Sequence, residues 1–330
     1  MKLNLKLFIA CLLAVFCAGN AYATIVWNSQ TGYWANPALW DKGFVPNDFE
    51  DIKITRPAAI CTVNSNVGNY SIAKIYLASG PDNANAATLK ITDGGYLGAD
   101  RELMIGSAGA TGSGNIGYLI QTGGQLSTGS AGKIEVGYKT GGVGYYTMSG
   151  GSLTGDGCLF VGGAGANGAA GTFTVIGDDP FISLAKIYIG AKDSKGTYAG
   201  TGTVAFVVGA GGVSPIHAQS VYIDPMNNCA SAANLLVTLS AAPPAGNIVL
   251  FDNTGCSPVF GKFDLINGIA AVEGASVTLG YGGVNHLYNL TYLYDAAGNG
   301  HTNDIALMTI PEPATIALLA LGLLSVVKRH

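Results

Sequence analysis

The chain has 330 residues, 49 of them glycine, and only 11% are charged. Its formal net charge is −4; without Lys2, Lys6, Lys328, Arg329 and Glu312 at the two ends, 12 basic residues face 19 acidic ones, a net charge of −7. Such a surface repels nucleic acid, and low charge with high apolarity excludes a disordered chain.

The N-terminus predicts export. Lys2 and Lys6 precede an apolar run from Leu7 to Ala18, and Ala21-Tyr22-Ala23 puts small residues where a signal peptidase needs them. Residues 1–23 therefore read as a secretory signal peptide, cut between Ala23 and Thr24 after passage through the general secretion machinery. The run is too short to be a comfortable membrane anchor.

Residues 24–69 hold all three tryptophans, Trp27, Trp34 and Trp40, with Pro37 and Pro46 among them. One reading is a hydrophobic cap, because the open end of a stacked β-structure needs covering. The other is a glycan contact, since tryptophan faces stack on sugar rings. The cap is favoured, as no separate binding domain fits in so few residues.

From about residue 70 the sequence repeats. Thr88–Leu97, Gly117–Leu126 and Gly144–Leu153 align without gaps, each with strand-forming residues, a Gly-Gly turn and a closing leucine. A second block alternates with the first, in runs ending at Gly106, Gly137, Gly162 and Gly190. Short runs rich in Val, Ile, Tyr and Phe read as strands. A unit of this kind cannot bury its own apolar face and must stack on its neighbours. The expected fold is all-β, a right-handed parallel β-helix (β-solenoid) over 70–228 with caps at both ends. Roughly six coils at ~4.8 Å each make a rod about 30 Å long. Leu97, Leu126 and Leu153 are expected to form an internal column. An antiparallel β-sandwich is the alternative. The Gly-rich stretch resembles repeats of bacterial autotransporter-like surface proteins, and Gly32–Trp40 resembles the lead-in found before such repeats.

Many β-helix proteins cleave acidic polysaccharides, and Gly177-Asp178-Asp179 resembles a Gly-Asp-Asp element of polygalacturonases, whose paired carboxylates act as acid and base. The partners are missing, however: no Gly-His-Gly and no Arg-Ile-Lys follows, and the histidines at 217, 286, 301 and 330 stand isolated in sequence. In register Gly177-Asp178 falls on the Gly150-Gly151 turn of the preceding copy, which Asp tolerates. Gly109–Gly114 lacks a Walker lysine, and Asp295–Asp304 reads as a hairpin turn rather than a calcium loop. No catalytic residue, metal site or cofactor is expected.

After Asn228 the pattern changes. Ala241–Gly246 is a break, and the strand-like runs beyond it predict a β-rich C-terminal cap over 229–310. Export permits disulfides, and Cys229 with Cys256 is the pair expected within that cap.

The last 20 residues are ordered in three parts. Pro311-Glu312-Pro313 precedes the apolar run from Ala314 to Val327, and Lys328 and Arg329 follow as a basic stop. The prolines set the start of a helix, and the basic pair prefers the cytoplasmic side. Together the three parts resemble a PEP-CTERM sorting signal. That resemblance implies a Gram-negative bacterium that makes exopolysaccharide, and an exosortase that recognises residues 311–330 and removes them. The whole reads as an exported structural protein of the cell surface or extracellular matrix, anchored transiently by its C-terminal helix and associated with exopolysaccharide. The alternatives are a polysaccharide lyase or hydrolase on the same scaffold, or a lectin-like binder.

Overall fold

In the computed structural model the described residues are 23–80, 86–108, 114–138, 141–163, 168–190, 200–224, 232–298 and 300–310. They form a β-solenoid of about seven turns, roughly 34 Å long at ~4.8 Å per turn. One sequence period makes one turn, and a full turn contributes a strand to each of three parallel ladders. The first ladder begins at Thr24–Val26 and climbs through Asp51–Ile54, Lys74–Gly80, Glu102–Ala108 and Lys133–Tyr138 to residues 220–223. The second runs from Thr31–Tyr33 to Leu265–Ile266. The third runs from Asn66–Asn69 to residues 251–253. This parallel register excludes the sandwich.

The interior is built from columns of like residues. Leu97 pairs with Leu126 and Leu126 with Leu153, and the column continues through Ile182 and Ile216 to Phe251, all buried. The expected leucine column is therefore present and twice as long as the gap-free repeat. In the first ladder Ile54, Leu77, Ile105, Val136, Val161, Ile189 and Ile223 follow one another in the same way. The glycines that close the second repeat block have a packing role. Gly137 takes a left-handed φ of +77°, and Gly144 lies against it, so that a Cβ on Gly144 would run into the Gly137 amide and the Ile105 carbonyl. The ladders meet there at a distance only glycine allows.

Gln121 places a polar group in the core of the second ladder. Gln121 sits between Ile91 and Met148 in the second ladder and is fully buried. The Tyr146 hydroxyl donates to its Oε1 at 2.6 Å, and its Nε2 donates to the Ser152 carbonyl at 2.9 Å. Burial holds the Tyr146 hydroxyl well above the usual phenol range, so it stays a donor. Tyr146→Phe should lower stability by about 1–3 kcal/mol, the cost of leaving the Gln121 oxygen buried without a partner. A urea titration checks this; an unshifted midpoint would mean that Gln121 finds another donor.

Parallel stacking extends beyond 70–228 at both ends. Thr24 already pairs with Asp51 and Thr31 with Ile60, so the tryptophan segment is the first turn together with its cover. Asn28 donates to the Leu39 carbonyl and Asp41 to that of Val26, which folds 37–41 over the open end. Trp40 packs edge-on against Trp27 and Trp34 at 5.0 and 5.1 Å. At the far end, Ala232–Leu239 and residues 251–253 still stack in parallel. The direction reverses only after Ile266, where Leu265 pairs with Ala270, and the strands Ser276–Tyr281, Val284–Tyr294 and Asp304–Thr309 close the solenoid antiparallel. The segments for which a signal helix and a membrane helix are expected lie outside the described residues. Among the described residues no helix is long and apolar enough to cross a membrane, and the one helical turn is Pro37–Leu39.

Candidate functional site

The tryptophans were the candidate sugar platform, and they are buried. Trp27, Trp34 and Trp40 are 1%, 0% and 3% exposed, so none offers a ring face to a glycan. Trp34 donates its indole N–H to the Tyr70 hydroxyl at 3.1 Å, and Trp40 donates to the Trp34 carbonyl at 2.8 Å. Their chemistry is that of a cap.

The outer face carries an aromatic ladder that inspection of single motifs missed. Phe160, Tyr188, Tyr222 and Phe260 stack on successive turns, with centroids 4.7, 4.6 and 4.9 Å apart and planes within 8° of parallel. Three of the four are the middle residues of the second repeat block, so the alignment held the signal. Stacked rings occupy one another's faces and present edges to solvent, and sugar stacking needs a free face. Beside them an ionic pair bridges turns: Lys74 Nζ lies 2.6 Å from Glu102, and Lys133 is the next residue up. Both ladders tie turns together.

Asp178 and Asp179 are exposed on the turn after Ala169–Ile176. Met148 pairs with Val175 and Ser152 with Phe181, which places the pair at the turn occupied one turn below by Gly150-Gly151. Gly177 adopts φ +69°, and Ser214 donates to the Asp178 backbone carbonyl. Neither carboxylate enters an ion pair among the described residues.

His217, isolated in sequence, is not isolated in space. Its Nδ1 lies 2.8 Å from Asp252 Oδ2, one turn above. Ser183, His217 and Asp252 occupy the same position on three successive turns. Among the described residues no hydrogen bond joins Ser183 to His217, so the serine lacks the contact with a base that would activate it. The pair clamps neighbouring turns. An apolar groove of about 230 Å³, lined by Thr203, Asn234, Leu235, Leu236, Leu265 and Gly268, opens near the end of the second ladder, without an ionisable side chain. Among the described residues no group of three or more His, Cys, Asp or Glu could hold a metal ion. Cys256 is an exposed free thiol, and its expected partner Cys229 lies outside the described residues.

The body ends in a firmly held strand. Asp304 accepts from the Asn253 amide at 2.8 Å and from the Ala296 amide at 2.6 Å, while burial raises its carboxyl above the usual range. Asn303 Nδ2 reaches the carbonyls of Asn253, Gly255 and Ser257. Thr309, the last residue of the strand, pairs with Tyr288 and donates its amide to Asn247 Oδ1. At this residue the chemistry of the chain changes from body to tail.

Residues 309–329 match the family model of the PEP-CTERM protein-sorting motif. Comparison with curated proteins and with solved structures found no match. The PEP-CTERM motif marks an exported protein that an exosortase recognises, and here it begins on the final residue of the solenoid's last strand. Pro311, Glu312, Pro313, Lys328 and Arg329 all fall within the match but outside the described residues; Ala21 of the expected signal cleavage site also lies outside the described residues. Ala23, the other cleavage residue, is exposed, and its carbonyl accepts from the Asp51 amide at the foot of the first ladder.

Proposed function

We propose that this chain is a non-enzymatic structural protein of the cell surface or extracellular matrix, held at the membrane by its PEP-CTERM tail until the exosortase releases it. The observation that carries this reading is the pairing of that motif with a solenoid whose outer ladders link turn to turn. The stacked aromatic rings, the Lys74–Glu102 pair and the His217–Asp252 clamp all use polar or aromatic groups for cohesion. Export through a signal peptide ending at Ala23 fits a body whose first strand starts at Thr24. The exopolysaccharide of the producing cell is the proposed neighbour. Contact with it would run through exposed hydroxyls and aromatic edges rather than through a tryptophan cleft.

The test uses exported protein recovered from its own cell, incubated with acidic and neutral polysaccharides. The expected result is co-sedimentation with the cell's own polysaccharide and no new reducing ends or unsaturated products. Cleavage that disappears in Asp178→Ala or Asp179→Ala would replace this reading with a polysaccharide-degrading one.

A further inference from the structure

The hairpin formed by Ser276–Tyr281 and Val284–Tyr294 contains no Asp, Glu, Lys or Arg; indeed none occurs from Gly274 to Tyr294. Its base is built into the cap, with Val277, Leu279, Tyr288 and Leu290 buried. Toward the Gly282-Gly283 turn the body no longer covers it. Tyr281 and Val284, paired across the turn, are 41% and 56% exposed. The nearest acidic residues in sequence, Glu273 and Asp295, flank the base, where Glu273 accepts from the Tyr292 amide.

The direction of the final strand gives this apolar tip a meaning. Asp304–Thr309 runs antiparallel to the second hairpin strand, with Tyr294 opposite Asp304 and Tyr288 opposite Thr309. The Ile310 amide then donates to the Leu287 carbonyl at 3.3 Å. The chain therefore leaves the body heading along 287–284, toward the tip. Only Pro311, Glu312 and Pro313 separate Ile310 from Ala314, where the apolar run of the tail begins. Four Cα steps reach at most about 14 Å, and the tip lies three residues, about 10 Å, beyond Leu287. A bilayer that holds the tail must lie within reach of this tip.

We infer that Tyr281 and Val284, at the tip, form a bilayer-docking surface that enters the lipid interface while the tail is embedded. The inference rests on the proposed membrane anchoring of that tail. An uncharged segment carrying a tyrosine beside aliphatic side chains suits the interfacial layer, where amphipathic rings collect and charged groups are costly. Two side chains give only weak, reversible attachment, so the tip lets go once the tail is cut. Until then it fixes the solenoid's orientation and holds the Pro-Glu-Pro segment close to the membrane surface.

The test uses the full chain with Val284→Trp, mixed with vesicles of phosphatidylethanolamine and phosphatidylglycerol carrying brominated acyl chains. The three native tryptophans are buried in the cap at the opposite end and provide a constant background. Flotation of the protein with the vesicles, together with loss of the added tryptophan's emission, is the expected result; Tyr281→Trp serves as a second reporter should Val284→Trp misfold. Flotation without quenching at either position overturns the docking surface and leaves the tail reading intact. Absence of flotation overturns the tail reading, and the docking surface with it. A blue shift of the added tryptophan's emission seen only with native membrane vesicles, without quenching by the brominated lipid, would assign the surface to a membrane protein and overturn lipid docking.

Discussion

Replacing Leu126 with alanine is expected to lower the unfolding free energy by about 2–5 kcal/mol. Leu126 is fully buried, with Leu97 directly below it and Leu153 directly above. Most of its apolar side chain disappears in the variant, and little can move in to fill the gap. The strands above and below are held about 4.8 Å apart by backbone hydrogen bonds, so the column cannot shorten to close the cavity. The loss also propagates, because each turn of a solenoid is stabilised mainly by its two neighbours. Urea denaturation of the wild type and the variant reads the change. An unshifted midpoint would mean that the leucine column is not packed as described.

That column was legible because three copies align without a gap, which fixes both register and facing. What could not be read were the places where copies lose their rhythm. Thr24–Val26 and Thr31–Tyr33 are strands of three residues, too short to show alternation, and the tryptophans around them read as a separate cap. Ala241–Gly246 looked like a break in the strand pattern. In the structure it is a turn within one coil, between Ala232–Leu239 and Ile248–Asn253. His217 and Asp252 lie 35 positions apart, further than any spacing in the clear repeats, so no alignment brought them together. Phe260 joins the aromatic ladder from an irregular segment, as an isolated bridge to Tyr222. The sorting motif was legible for a different reason. Its three parts are read by order and chemistry and need no tertiary contact.

Protein recovered from the surface of its own cell is expected to lack the residues beyond the Pro-Glu-Pro site, whereas a Glu312→Ala variant should keep them through to His330. Ala314 to Val327 is a 14-residue run, apolar except for Thr315 and Ser325, enough to hold a chain in a bilayer at about 0.8 kcal/mol per buried CH₂, yet short of the roughly 20 that a stable span needs. Lys328 and Arg329 favour the cytoplasmic side, which puts Pro311-Glu312-Pro313 at the opposite face. The solenoid then limits where that segment can be. Its last strand is pinned by Asp304 and Asn303, and Ile310 is still bonded to Leu287. In the proposed membrane-held state, the three-residue Pro-Glu-Pro segment joins that pinned strand directly to the apolar run and so stays near the bilayer surface. An enzyme working at that surface meets it at high local concentration, and Glu312 is its only charge. Removing that charge leaves the apolar run and the tether unchanged, so the variant separates recognition from anchoring. Intact-mass spectrometry of both proteins reads the outcome directly. Wild-type surface protein that still ends at His330 would make the tail a permanent anchor, and the Glu312→Ala variant would then behave like the parent.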